Sequence, residues 1–134
     1  MKMMSIALAT MFSVFCAQAA LAEGDDWAGL YQAIDPVDGS VNYLSIVPLG
    51  DGLYELHVTV SHHGRCEAPA VIVATGRLAD DNLHREQATL HCRGADSPVE
   101  HGDSAYSLDH DNRIITHTAS MDGRRMHFHR IGDD

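Results

Sequence analysis

From Trp27 onward the chain is divided by turn residues into short runs rich in Val, Ile, Leu and Tyr. Nowhere does it show the 3.6-residue apolar spacing of an amphipathic helix. That punctuation constrains the fold more than any other feature. Eight strands are expected: Trp27–Ile34, Val41–Val47, Leu53–Val60, Ala70–Leu78, Leu83–His91, Ala105–Leu108, Arg113–Ala119 and Arg125–Ile131. The third shows the alternation best, with Tyr54, Leu56, Val58 and Val60 on one face and Leu53, Glu55, His57 and Thr59 on the other. The longest connection, Arg93 to Ser104, carries Gly94, Pro98 and Gly102 and reads as a surface loop. Short strands joined by brief turns make an antiparallel meander, and closing it removes both exposed edges. The expected fold is therefore all-β, an antiparallel up-and-down barrel of eight strands.

Three turns share an x-Asp-Gly pattern: Val37-Asp38-Gly39, Gly50-Asp51-Gly52 and Met121-Asp122-Gly123. Such a turn closes a hairpin with two loop residues, or with three when Gly takes the left-handed position. In the middle hairpin the three-residue loop sets Ile46 opposite Leu56 and Leu44 opposite Val58. The two-residue loop would turn Leu44 and Ile46 onto the polar face, so burial selects the former. The same rule applied to the last hairpin pairs Ser120 with Arg124. Thr118 then faces Met126, Thr116 faces Phe128, and His117 lies opposite His127.

The N-terminus carries a targeting signal. Met1-Lys2 is a short positive start, Met3 to Ala17 is apolar apart from Ser5, Thr10 and Ser13, and Ala20-Leu21-Ala22 precedes Glu23. This is the layout of a secretory signal peptide over residues 1–22. Cleavage is expected to leave a single domain, residues 23–134, in the periplasm or the medium with no membrane span. Cys16 leaves with the signal, and the Phe15 before it is unlike the small residue of bacterial lipoprotein signals. Cys66 and Cys92 remain, and in an oxidising compartment they are expected to pair. The disulfide closes a loop of roughly 25 residues, worth on the order of 3 kcal/mol.

After cleavage, 19 acidic residues stand against eight Arg and no Lys, a net charge of −11. Nucleic acid is excluded as a partner for want of a basic patch. The acidity serves solubility, or attracts a basic partner or divalent cations.

Two His sit two residues apart in the last strand, and His117 joins them across the ladder in the register above. His127, His129 and His117 would then offer three nitrogens to Zn or Cu with a fourth position open. The local geometry resembles the three-His zinc site of carbonic anhydrases; a solvated strand face is the alternative. His62-His63-Gly64 reads as a plain turn. Asp109-His110-Asp111-Asn112 lacks the Gly and distal Glu of a calcium loop and reads as a turn too. There is no G-x-S-x-G elbow, no phosphate loop, and no second half to the His57-Val58-Thr59 motif. His101, Asp103 and Ser104 share one loop, which does not make a triad. No enzymatic activity is expected, and no cofactor beyond that metal.

The domain opens with Trp27-Ala28-Gly29-Leu30-Tyr31, and here it resembles small exported lipocalin-like barrels, which begin strand one with W-x-G-x-Y. The resemblance implies a cavity for an apolar ligand, with Trp27 and Tyr31 as contacts. The residues themselves allow another reading, in which both rings plug the barrel end. A fainter resemblance, in Gly102-Asp103-Ser104-Ala105-Tyr106, is to bacterial lysozyme inhibitors, and it implies an acidic surface for a basic cell-wall enzyme. The resulting expectation is a monomeric, exported, non-enzymatic binding protein.

Overall fold

The computed structural model describes residues 25–119 and 122–132; the segment expected to be a signal peptide and Ser120 lie outside them. Among the described residues the chain forms strands and no helix. They are β1 (Gly29–Ile34), β2 (Val41–Gly50), β3 (Leu53–His63), β4 (Ala68–Ala79), β5 (Asn82–Cys92), β6 (Val99–Glu100), β7 (Ser104–Asp109), β8 (Ile114–Thr118) and β9 (Arg125–Ile131). All pairings are antiparallel. β9 returns to β1, and an eight-stranded barrel closes.

β6 lies inside the stretch expected to be a loop. It continues the edge that β7 makes with β5: Val99 and Glu100 pair with Leu90 and Thr89, and Ser104 pairs with Arg85. Between them the His101 amide donates to the Ala88 carbonyl at 2.8 Å.

Alternation fills the interior. Tyr31, Leu44, Leu56, Leu83, Leu90 and Ile115 are wholly buried, with Tyr106 and Phe128 beside them. Each such side chain contributes roughly 1.5–3 kcal/mol by leaving water. Packing is close enough that a Cβ on Gly76 in β4 would sit 3.0 Å from Leu83 and 3.2 Å from Leu56.

The middle hairpin has the expected register, with Ile46 opposite Leu56 and Leu44 opposite Val58. Its turn is built differently. Asp51 and Gly52 both take positive φ, 55° and 72°, as a two-residue type I′ turn requires. A bulge between Pro48 and Gly50 supplies the extra residue.

The last hairpin departs from expectation. Thr116 pairs with His127, and His117 pairs with Met126. The Ala119 amide donates to the Arg124 carbonyl at 2.8 Å, and the Gly123 amide donates back to the Ala119 carbonyl at 3.0 Å. Four residues, 120–123, therefore separate the closing pair, against the three expected. The β1–β2 hairpin closes identically through Asp35, Ser40 and Gly39. In both, the Asp carboxylate accepts the amide two residues on: Asp38 from Ser40, Asp122 from Arg124.

The two barrel ends differ. Chain direction sets the β2–β3, β4–β5 and β7–β8 turns at one end, with the entry into β1. There Trp27 is 5% exposed and Tyr31 is sealed. Asp25 accepts the Trp27 amide at 3.0 Å and the Tyr54 hydroxyl at 3.1 Å, and the Tyr31 hydroxyl donates to the Trp27 carbonyl at 2.9 Å. Burial and the Asp25 carboxylate push the Tyr54 phenol up to about 12. The opposite end carries the β1–β2, β3–β4 and β8–β9 turns and the Cys66–Cys92 disulfide, whose Cα atoms lie 5.4 Å apart.

Candidate functional site

The disulfide end of the barrel interior is polar, and its centre is Arg85. A break in alternation puts it there. Leu83 and Leu90 both point inward although seven residues apart, because β5 bulges opposite Val73–Thr75, with Gln87 at φ 50°. Arg85 and Ala88 thereby join the inward set.

Arg85 is 5% exposed. Its Nη2 donates to the Gly102 carbonyl at 2.8 Å and its Nη1 to the Tyr106 hydroxyl at 3.4 Å. Its Nε is buried with no acceptor. Among the described residues no carboxylate pairs with it. The nearest elements to this end do offer one buried acid, Asp35, but Arg124 holds it at 3.2 Å.

Three imidazoles lie near enough to feel the guanidinium's charge. The His117 ring lies 5.0 Å from the Tyr106 ring, and its Nε2 is 3.0 Å from Ser104 Oγ. The His101 ring meets His63 edge-on at 5.5 Å, and its Nδ1 is buried with no partner. Burial first, then Arg85, His101 and Arg124, hold His117 down at about 4. Burial first, then Arg85, His63 and Arg65, hold His101 at about 4. His63 is lowered as well, by burial and then by Arg65, His62 and Arg85. The fixed charges that hold these three rings down are guanidinium groups, Arg85, Arg65 and Arg124, in a chain whose net charge is −10.

The expected His trio is not brought together. Register puts His117 inside the barrel, while His127 and His129 stay exposed on the outer face. His127 Nδ1 lies 3.0 Å from Thr116 Oγ1. With Gln32, Ile34 and Arg125, the two outer rings border a surface cleft of about 350 Å³ where β1 and β9 diverge beyond the Gln32–His129 pair. No group of three metal-ligating side chains occurs among the described residues. Asp109 is engaged in its turn, accepting the amides of Asp111 and Asn112. Trp27 and Tyr31 are closed to solvent by their own strand entry.

Of the residues at this site, Arg85 has no mark in the sequence as an inward position, and His101 figures there only in a loop with Asp103 and Ser104. The odd spacing of Leu83 and Leu90 was the available signal for the bulge. Among the described residues no helix is long and apolar enough to cross a membrane. Searches against protein families, curated proteins and solved structures find no match to this chain.

Proposed function

We propose that the chain is an exported, non-enzymatic binding protein that takes a small ligand at the disulfide end of its barrel. The observation that carries this reading is the inward-facing Arg85. A buried cation with an unfilled donor costs several kcal/mol unless something joins it. The opposite end is plugged by Trp27, Tyr31 and Tyr54, and the middle is filled by apolar side chains. An apolar cavity of the lipocalin-like kind would need room where those rings sit.

Ser104 and His117 lie within hydrogen-bond distance, which invites comparison with a nucleophile and its base. A base held at about 4, with cations rather than a carboxylate around it, is too weak for that work near neutrality. Binding is the better reading.

The test is direct. Untagged protein recovered from the export compartment is expected to begin at Glu23 and to release a small molecule on denaturation, detected by mass spectrometry. Exhaustive dialysis under native conditions is expected to lower its unfolding temperature. Protein that carries nothing, and whose unfolding is unchanged by dialysis, would overturn the small-ligand reading. It would favour a basic protein partner for the aspartates of the plugged-end turns, Asp51, Asp80, Asp81, Asp109 and Asp111.

A further inference from the structure

We infer that the ligand is a small organic carboxylate, anchored by Arg85 and completed by hydrogen bonds from His101 and His117. This rests on the binding reading above and adds the chemistry of the ligand. Four observations converge on it. The guanidinium is buried and its Nε–H points at no acceptor. His101 Nδ1 is likewise buried and unmatched. The two groups are neighbours, since Arg85 Nη2 donates to the carbonyl of Gly102, the residue that follows His101, at 2.8 Å. Among the described residues no carboxylate answers them, and Asp35, the buried one at this end, belongs to Arg124 and to the Val37 amide. A planar carboxylate matches a guanidinium edge and accepts from a ring N–H beside it. The surroundings are half apolar, with Leu90, Met126 and the Tyr106 ring close to the same end. They suit an organic acid better than a hydrated inorganic ion.

Proton uptake accompanies binding. His101 and His117 are neutral above about pH 4. The titratable and charged groups facing them are Arg85 from β5, His63 at the end of β3, Arg65 from the β3–β4 turn, and Arg124 from the β8–β9 turn, with Asp35 from the β1–β2 turn neutralising the last. A bound anion opposes that field and raises the rings' affinity for protons, so proton uptake on binding grows as the pH falls. Affinity therefore rises as the pH falls from 7 toward 5.

The experiment uses dialysed, untagged, full-length mature protein with benzoate, its neutral isostere benzamide, and sulfate. The readouts are calorimetric titration and the histidine ring proton signals in NMR. Benzoate is expected to bind saturably, to move histidine signals toward the protonated position, and to bind more tightly at pH 5.5 than at pH 7. Benzamide and sulfate are expected to bind at least about tenfold more weakly. Arg85→Met is expected to lose benzoate binding while unfolding at a higher temperature than the empty parent, because an unpaired buried charge has gone. Should that variant fail to fold, the benzoate–benzamide comparison on the unaltered chain decides, with His101→Gln expected to flatten the pH dependence. Equal binding of benzoate and benzamide, or sulfate in preference to benzoate, overturns the assignment. A neutral co-purifying molecule would overturn it too, yet leave the binding reading standing.

Discussion

At the scale of single residues, the imidazoles inside the barrel set its acid tolerance. His101 and His117 titrate at about 4 in the folded chain, against about 6.5 for a free imidazole, because burial and then Arg85 oppose their charge. As pH falls below about 6.5 the unfolded chain takes up these protons first. Their contribution to stability is therefore complete above that value and is lost as pH falls through 4. Urea unfolding of the empty protein is expected to weaken between pH 6.5 and 4.5. For each fully shifted ring the slope tends toward about 1.4 kcal/mol per pH unit. Carboxylates titrate in the lower part of the same window, so the comparison that isolates the rings is with His101→Gln/His117→Gln. That double variant should show a visibly flatter profile. An identical profile would mean that both rings are hydrated in the folded protein.

At the scale of the hairpin, one tripeptide serves two different turns. In Gly50-Asp51-Gly52 both Asp51 and Gly52 are central residues of a type I′ turn, and Gly50, at φ 96°, carries the adjoining bulge. In the β1–β2 and β8–β9 hairpins, Gly39 and Gly123 are instead the last residues of four-residue loops, at φ 73° and 69°. The residue before Asp tells them apart, Gly50 in one case and Val37 or Met121 in the others. Transferring the middle register to the last hairpin therefore slipped it by one, and a slip of one moves every side chain to the other face. That is why the strands and the barrel were legible in the sequence while the His117–His127–His129 trio was not. The β5 bulge hid Arg85 for a related reason: counting back by twos from Leu90 and Ala88 sends Arg85 outward. A Cβ at Gly39 or Gly123 would touch nothing within 4 Å, so replacement costs only the left-handed backbone. Gly39→Ala and Gly123→Ala are each expected to lower the unfolding free energy by roughly 1–2 kcal/mol, with Asn at either position costing less. Chemical denaturation checks this, and a loss above that range would show that the glycine serves packing.

At the scale of the whole molecule, the barrel is closed by hydrogen bonds all round but fastened covalently at one end only. Cys66 sits in the β3–β4 turn just after His63 and Arg65, and Cys92 ends the strand that carries Arg85. The amides of Cys66 and Glu67 both donate to the His63 carbonyl, and the Arg93 amide donates to the Pro69 carbonyl at 3.0 Å. The cross-link thus fixes the imidazole-bearing turn to the guanidinium-bearing strand. The plugged end relies on Asp25, Trp27, Tyr31 and Tyr54 and has no covalent tie. Cys66→Ser/Cys92→Ser is expected to lower the unfolding free energy by about 3 kcal/mol, from the 26-residue separation that the bond spans. The strand signature in circular dichroism should persist, because the apolar interior is untouched. The loss should also be uneven. Amide exchange is expected to quicken around residues 62–68 and 90–93 and to stay slow around Tyr31 and Tyr54, since local opening follows the loss of local constraint. Uniform quickening at both ends would mean that the bond stabilises the barrel as one unit, and that the order of the polar end comes from its side chains alone.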